Sequence, residues 1–266
     1  MARPLMNASI GLMNRLIFNA AGGVERPAFY DVDSTYPALR QIDAAYPQIR
    51  AELLALLEQN PTLPHYHELD RRQRHISTAK DPDKAWRVFL LYAMGEKPAE
   101  NRRKCPQTAA ALDKIPGLFQ AFFSILDPGK SIPAHRGSFL GYIRYHLALL
   151  VPSVRPPSIR VKDRIHTWKE GESVLFDDSW EHEVMNDSES KRVVLIIDVL
   201  RPLPPMLHGM NLAFSQLARA FYARRMVSTM KDFEADANLR SIPEKFVARR
   251  DAASADTRQE SGSNYS

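Results

Sequence analysis

Between Phe119 and Leu200 the chain runs as short apolar stretches divided by turn-forming residues, and this punctuation restricts the fold more than anything else in the sequence. The dividers are Asp127-Pro128-Gly129, Pro152, Pro156-Pro157, Glu170-Gly171 and Asn186-Asp187. Proline lacks a backbone N–H and glycine gives up the most entropy on ordering, so such pairs sit between elements rather than inside them. Closely spaced strands with turns of this kind predict an antiparallel sandwich or barrel. The run 193–200 is almost continuously apolar and reads as a buried strand. Ile159-Arg160-Val161 and His166-Thr167-Trp168 alternate in polarity and read as half-exposed.

The flanks differ. From Tyr36 to Asn60, Leu39, Ile42, Tyr46, Ile49, Leu53 and Leu56 recur at steps of three and four, which aligns one helical face. Pro47 predicts a break there, or two helices, and Pro61 a stop. Residues 86–94, Trp-Arg-Val-Phe-Leu-Leu-Tyr-Ala-Met, are rich in aromatic and branched side chains and read as a strand. Cys105-Pro106 opens a short helix through Ile115, closed by Pro116-Gly117. Pro202, Pro204 and Pro205 end the β region. From Leu207 to Asp232 a helical pattern returns, with Phe214, Leu217, Phe221 and Tyr222 on one face and Arg219, Arg224 and Arg225 on others. Residues 252–266 are small and polar, the composition of a disordered tail. The expected division is a helical segment over 1–85 packing on the core, a β core over 86–205, a helical segment over 206–250 and a tail over 251–266.

Charge and cysteine content exclude some functions. Lys and Arg number 36 against 31 Asp and Glu, a net +5 without a dense basic cluster, so no nucleic-acid partner is expected. Cys105 is the only cysteine, which rules out an internal disulfide or a thiolate zinc knuckle. No stretch reaches the roughly 18 apolar residues of a membrane span. The first residues lack the charged, apolar, small order of a signal peptide. The expectation is a cytoplasmic protein, with peripheral contact at the inner membrane surface compatible with its basic helix.

Chemistry points to two histidines of the β region. His135 follows the Asp127-Pro128-Gly129 turn, and His182 lies in Phe-Asp-Asp-Ser-Trp-Glu-His-Glu-Val over 176–184. Neutral imidazole suits iron, zinc, copper and nickel alike, so the pair alone leaves the metal open. Alternation sends Arg144 and His146 to one strand face and Tyr145 to the other. A cation and an imidazole sharing a face make an odd core unless an anion docks there. Arg192 heads the apolar run 193–200, where a guanidinium can clamp a carboxylate through two parallel hydrogen bonds, although a solvated strand end reads equally well.

With these pieces assembled, the stretch from Trp86 to Pro202 closely resembles the aspartyl/asparaginyl β-hydroxylase family, which includes a peptide hydroxylase and a bacterial lipid A hydroxylase. The matching pieces are Cys105-Pro106-Gln107-Thr108, the 127–129 turn, Pro133-Ala134-His135-Arg136-Gly137, Arg144-Tyr145-His146-Leu147, the 167–172 segment Thr-Trp-Lys-Glu-Gly-Glu and the 176–183 segment ending in His182-Glu183, with Arg192 ten residues beyond His182. The resemblance implies a mainly β protein with flanking helices, built on a double-stranded β-helix of the jelly-roll or cupin kind. It also implies Fe(II), 2-oxoglutarate as cosubstrate and O2. His135 and His182 match the two iron ligands, and Arg192 and Ser124 the groups that hold the distal carboxylate of 2-oxoglutarate. Arg144 and His146 match cosubstrate-binding positions near the metal.

The carboxylate that usually completes a facial triad would stand at position 137, which is glycine here. Asp177 and Asp178 read either as solvated turn residues or as groups that orient a ligand imidazole, and Trp168, Phe176 and Trp180 as core packing. The implied activity is hydroxylation of an unactivated C–H bond in a peptide Asp or Asn, an amino acid or a lipid acyl chain. The competing readings are a non-catalytic cupin-like module that binds metal and ligand, and an iron halogenase.

Overall fold

The structure, a computed structural model, describes residues 2–59, 63–78 and 83–231. The chain opens with α1 (Ala2–Ile17), then β1 (Phe29–Tyr30), α2 (Val32–Thr35), α3 (Arg40–Ala44), α4 (Tyr46–Gln59), α5 (Tyr66–Leu69) and α6 (Arg74–Ser77). Next come β2 (Trp86–Ala93), α7 (Ala99–Lys104), α8 (Pro106–Asp113), β3 (Leu118–Leu126), β4 (Ile132–His135) and β5 (Tyr142–Leu150). They are followed by β6 (Ser158–Val161), β7 (Arg164–Thr167), β8 (Ser173–Phe176), β9 (His182–Met185), β10 (Arg192–Leu200) and α9 (Pro205–Ala218).

Among the described residues ten strands form two antiparallel sheets, β1-β8-β5-β10-β3-β2 and β4-β9-β6-β7. From β3 to β10 the chain passes back and forth between them, the signature of a double-stranded β-helix, so the expected mainly β fold with flanking helices is the observed one. The nine-residue strands β3, β5 and β10 occupy the middle of the larger sheet. Both their faces are covered, which is why they read as unbroken apolar runs rather than as alternation. In β10, Val193, Leu195, Ile197 and Val199 join a core with the helices, while Arg192, Val194, Ile196 and Asp198 turn to the other face.

The helical cover is built as the spacing predicts. Leu39, Ile42, Ile49, Leu53 and Leu56 are all buried in that core, together with Cys105, Leu112 and Ile115. Each such aliphatic side chain contributes roughly 1.5–3 kcal/mol on leaving water. The break falls at Ala45, and Pro47 sits in the first turn of α4, where its missing N–H costs nothing. Tyr145 points to this side and donates to Asp43 Oδ1 at 2.5 Å.

Three expectations need revision or extension. The helices α1 and α7 carry no clear signal: α1 has no acidic residue in its first turn and contains Pro4 and Gly11, and α7 is a charged six-residue segment. On α9 the buried face is Asn211, Phe214, Ser215 and Ala218, so Leu217, expected beside Phe214, points outward. In the β6–β7 hairpin, Ile159 and Val161 are buried and β7 is mostly exposed. Residues 219–223 form a π-helical turn, and helical residues run on to 231. Pro61, Asp232 and the expected tail lie outside the described residues. No helix among the described residues is long and apolar enough to cross a membrane.

Candidate active site

His135 ends β4, the edge strand of the smaller sheet, and pairs directly across from His182, which begins β9. A register irregularity between Ile132 and His135 turns the edge at this point. The two imidazoles lie 4.1 Å apart between ring centroids. His135 Nδ1 contacts the carbonyl of Pro133 at 2.8 Å, and His182 Nδ1 that of Trp180 at 2.9 Å. A carbonyl only accepts, so each Nδ1 carries the proton and each Nε2 keeps a lone pair. This is how ligating imidazoles are usually oriented. Burial, helped by the facing His182, lowers the His135 pKa to about 3, and burial lowers that of His182 to about 4. Both rings are neutral at physiological pH, the form that binds metal.

Among the described residues no group of three or more His, Cys, Asp or Glu converges as a metal site. At Gly137 the reason is visible. A Cβ there would lie 2.5 Å from Asp178 Oδ1 and 2.6 Å from its Oδ2, so the Asp178 carboxylate fills the space a side chain at 137 would use. Asp178 is held by the Tyr142 hydroxyl at 2.9 Å and Arg144 at 3.2 Å, and its Oδ1 has no hydrogen-bond partner. Burial raises its pKa against the opposing pull of Arg144. Asp177 is also buried, accepting from Arg26 Nε at 3.0 Å and Arg201 Nη2 at 2.8 Å. Neither is a solvated turn residue.

The inner face of the larger sheet carries the remaining expected residues. Arg192 is 1% exposed, and its Nε and Nη2 have no hydrogen-bond partner among the described residues. Its guanidinium lies 3.8 Å from the centre of the Trp168 ring, and burial lowers its pKa to about 9. A buried cation without an anion is costly, so this one is fitted for an anionic ligand. His146 stacks on the same Trp168 at 5.8 Å and meets the Phe176 edge at 4.9 Å. Neither of its ring nitrogens, nor Trp168 Nε1, has a hydrogen-bond partner among the described residues. Ser124 pairs across from Val194 and accepts from Trp86 Nε1 at 3.0 Å. Phe176, 6.0 Å from His182, links the histidine pair to this group.

Arg144 stands apart from Arg192. It pairs across from Asp198 and binds both its carboxylate oxygens, at 2.7 and 2.9 Å, besides reaching Asp178. Burial works against its charge, but the two carboxylates outweigh that and push its pKa well above the usual value. Asp198 and the Trp168 contact were not anticipated. Asp198 lies inside an aliphatic run, and its only signal is that it stands an even number of residues beyond Arg192, on the same strand face.

A cavity of about 410 Å³ reaches His135, Gly137, Arg144 and Asp178, and α1 and α9 wall its far side through Met6, Ile10, Phe214 and Ala218. Arg192, His146 and Trp168 do not line it. His135 is thus one wall of a cavity lined by both aromatic and charged residues, whereas Arg192, His146 and Ser124 are buried away from it.

Residues 43–202 match the family described as Aspartyl/Asparaginyl beta-hydroxylase. An ornithine lipid ester-linked acyl 2-hydroxylase from Rhizobium tropici is 41% identical over 193 residues, covering 72% of this chain and 67% of that protein. The mouse aspartyl/asparaginyl beta-hydroxylase is 35% identical over 122 residues, 44% of this chain but 16% of its own length. Among solved structures, a cupin domain of a transcriptional regulator from Enterobacter cloacae covers 44% of this chain and 98% of its own at 14% identity, with a TM-score of 0.31. With a family match over more than half of its length, this chain belongs to the aspartyl/asparaginyl beta-hydroxylase family.

Proposed function

We propose that the protein is an Fe(II)- and 2-oxoglutarate-dependent dioxygenase that hydroxylates an unactivated C–H bond in a lipid acyl chain. The observation that carries this reading is a pair of facing neutral imidazoles, each with Nδ1 on a backbone carbonyl, joined through Phe176, His146 and Trp168 to a buried arginine that meets no anion among the described residues. His135 and His182 would hold the iron, since imidazole nitrogen and open coordination positions suit ferrous chemistry. Iron bound there supplies, with 2-oxoglutarate and O2, the oxidation that turns a C–H bond into C–OH while 2-oxoglutarate becomes succinate and CO2.

The chain's own residues prepare that chemistry. Arg192 binds the distal carboxylate of the cosubstrate, with Ser124 beside it, and Trp168 holds the guanidinium flat. His146 offers its free ring nitrogens to the same ligand. Arg144, matched by resemblance to a cosubstrate position, already has its charge balanced by Asp198 and Asp178, so we assign it the positioning of Asp178 beside Gly137. The cavity on the other side of His135 pairs apolar walls, Met6, Ile10, Phe139 and Phe214, with the charged Asp70, Arg72 and Arg136, a lining that suits an acyl chain carried on a polar headgroup. The relative of greatest coverage reported above is a lipid acyl hydroxylase, which supports the same choice.

Anaerobic addition of Fe(II) and then 2-oxoglutarate to the full chain should give a weak visible charge-transfer band, and admission of air should yield succinate. His135→Ala and His182→Ala should each abolish both. Absence of the band and of succinate in the unaltered chain would favour a binding module without catalysis. A chlorinated product formed in chloride would favour a halogenase.

A further inference from the structure

The two helices that wall the cavity each turn a second apolar face outward. On α9, Met206, Met210, Ala213 and Leu217 are exposed, at the spacing i, i+4, i+7, i+11 that draws a straight stripe along a helix. Met206 is 75% exposed. On α1, Leu12 and Leu16 are exposed one turn apart, Leu12 by 58%, with exposed Arg15 beside them. Single apolar residues at the surface are ordinary, but two aligned rows on neighbouring helices are not. Their opposite faces, Met6 and Ile10 on α1 and Phe214 and Ala218 on α9, line the cavity that leads to His135. Each helix is therefore apolar on two sides, one facing the cavity and one facing outward.

Charge identifies what covers the outer side. No acidic residue occurs from 2 to 24 or from 201 to 227, while these stretches hold Arg3, Arg15, Arg201, Arg219, Arg224 and Arg225. Arg201 is buried against Asp177, whereas Arg219 and Arg224 share the single carboxylate of Glu96 and Arg15 is exposed beside the α1 row. An apolar stripe on a segment that carries arginines and no acidic residue is the pattern of a helix lying in the headgroup layer of an anionic bilayer. A second copy of the chain would match the apolar rows but would set arginine against arginine.

We infer that the outer faces of α1 and α9 seat the protein on an anionic phospholipid bilayer, so that an acyl chain enters the cavity between them directly from the membrane. The inference rests on the lipid reading of the substrate, and deepens it by naming the route of entry. It is tested by flotation of the full chain with vesicles of equal parts phosphatidylglycerol and phosphatidylcholine, against vesicles of phosphatidylcholine alone. The protein should float with the anionic vesicles, less with the neutral ones, and less again at high salt, which screens exposed charge. Leu12→Gln with Leu16→Gln, and Met206→Gln with Met210→Gln and Leu217→Gln, alter only exposed positions and should each lower partitioning about tenfold or more, since apolar area drives it. Both variants should keep the Fe(II) and 2-oxoglutarate band. Failure of the unaltered chain to float, or undiminished flotation of both variants, would overturn the inference. So would a dimer in sedimentation velocity that the glutamine variants dissociate while vesicle binding is unchanged. Flotation without the band would instead overturn the active-site reading and leave the membrane surface standing.

Discussion

Arg192 is the residue whose cost to the fold and use to the protein can be separated. A guanidinium buried with two N–H-bearing nitrogens unbonded is destabilising until an anion arrives. Replacing a buried charge by an apolar side chain of similar length is commonly neutral or stabilising, by up to about 4 kcal/mol. Arg192→Met should therefore leave the ligand-free protein at least as stable to denaturant, and raise the 2-oxoglutarate requirement at least about tenfold. Loss of stability in Arg192→Met, with an unchanged requirement, would make Arg192 a structural residue. Its position was legible because it heads an apolar run ten residues after a candidate ligand histidine. The partners were not: Trp168 is distant in sequence and reads as core, and Asp198 hides among aliphatic residues.

Among the elements, the loop after β4 and the helix α9 give opposite expectations for one chemical change. Gly137→Ala drives a Cβ into a buried carboxylate already fixed by Tyr142 and Arg144, and should destabilise by about 1–3 kcal/mol, the usual cost of overpacking. Gly209, inside α9, has nothing within 4 Å of a built Cβ, so Gly209→Ala should stabilise by about 0.5–1 kcal/mol through helix propensity. Urea unfolding of the two variants checks both signs, and equal effects would refute the contact at Gly137. The elements themselves were unevenly legible. The buried strands, the break before α4 and the short helix after Cys105 follow from spacing and proline. The inner face of α9 does not, because Phe214 with Ala218 and Met210 with Leu217 are two equally good apolar stripes, and periodicity cannot say which one meets the core. Nor does α1 announce itself, lacking an acidic first turn.

At the scale of the whole molecule the neutral histidines make stability depend on pH. Folding depresses the His135 and His182 pKa values from 6.5 to about 3 and about 4. Between those limits the unfolded chain takes up protons that the native state refuses, so stability is full above about 6.5 and declines as the pH falls toward 4. His146, driven well below its usual value by burial and by Arg192, acts in the same direction. Calorimetry of the metal-free protein should show a melting temperature that drops steadily from pH 7 to pH 4.5, and His135→Ala should reduce that slope. A flat profile would mean the imidazoles are exposed to solvent.

The walls that Met6, Ile10, Phe214 and Ala218 contribute to the cavity come from helices outside residues 43–202, the stretch that matches the family model. The far wall of the cavity is thus supplied by the two flanking helices, and its remaining walls, with the histidine pair and Arg192, by the segment between them. A change confined to either helix can therefore reshape that wall while the paired rings and the buried cation keep their setting.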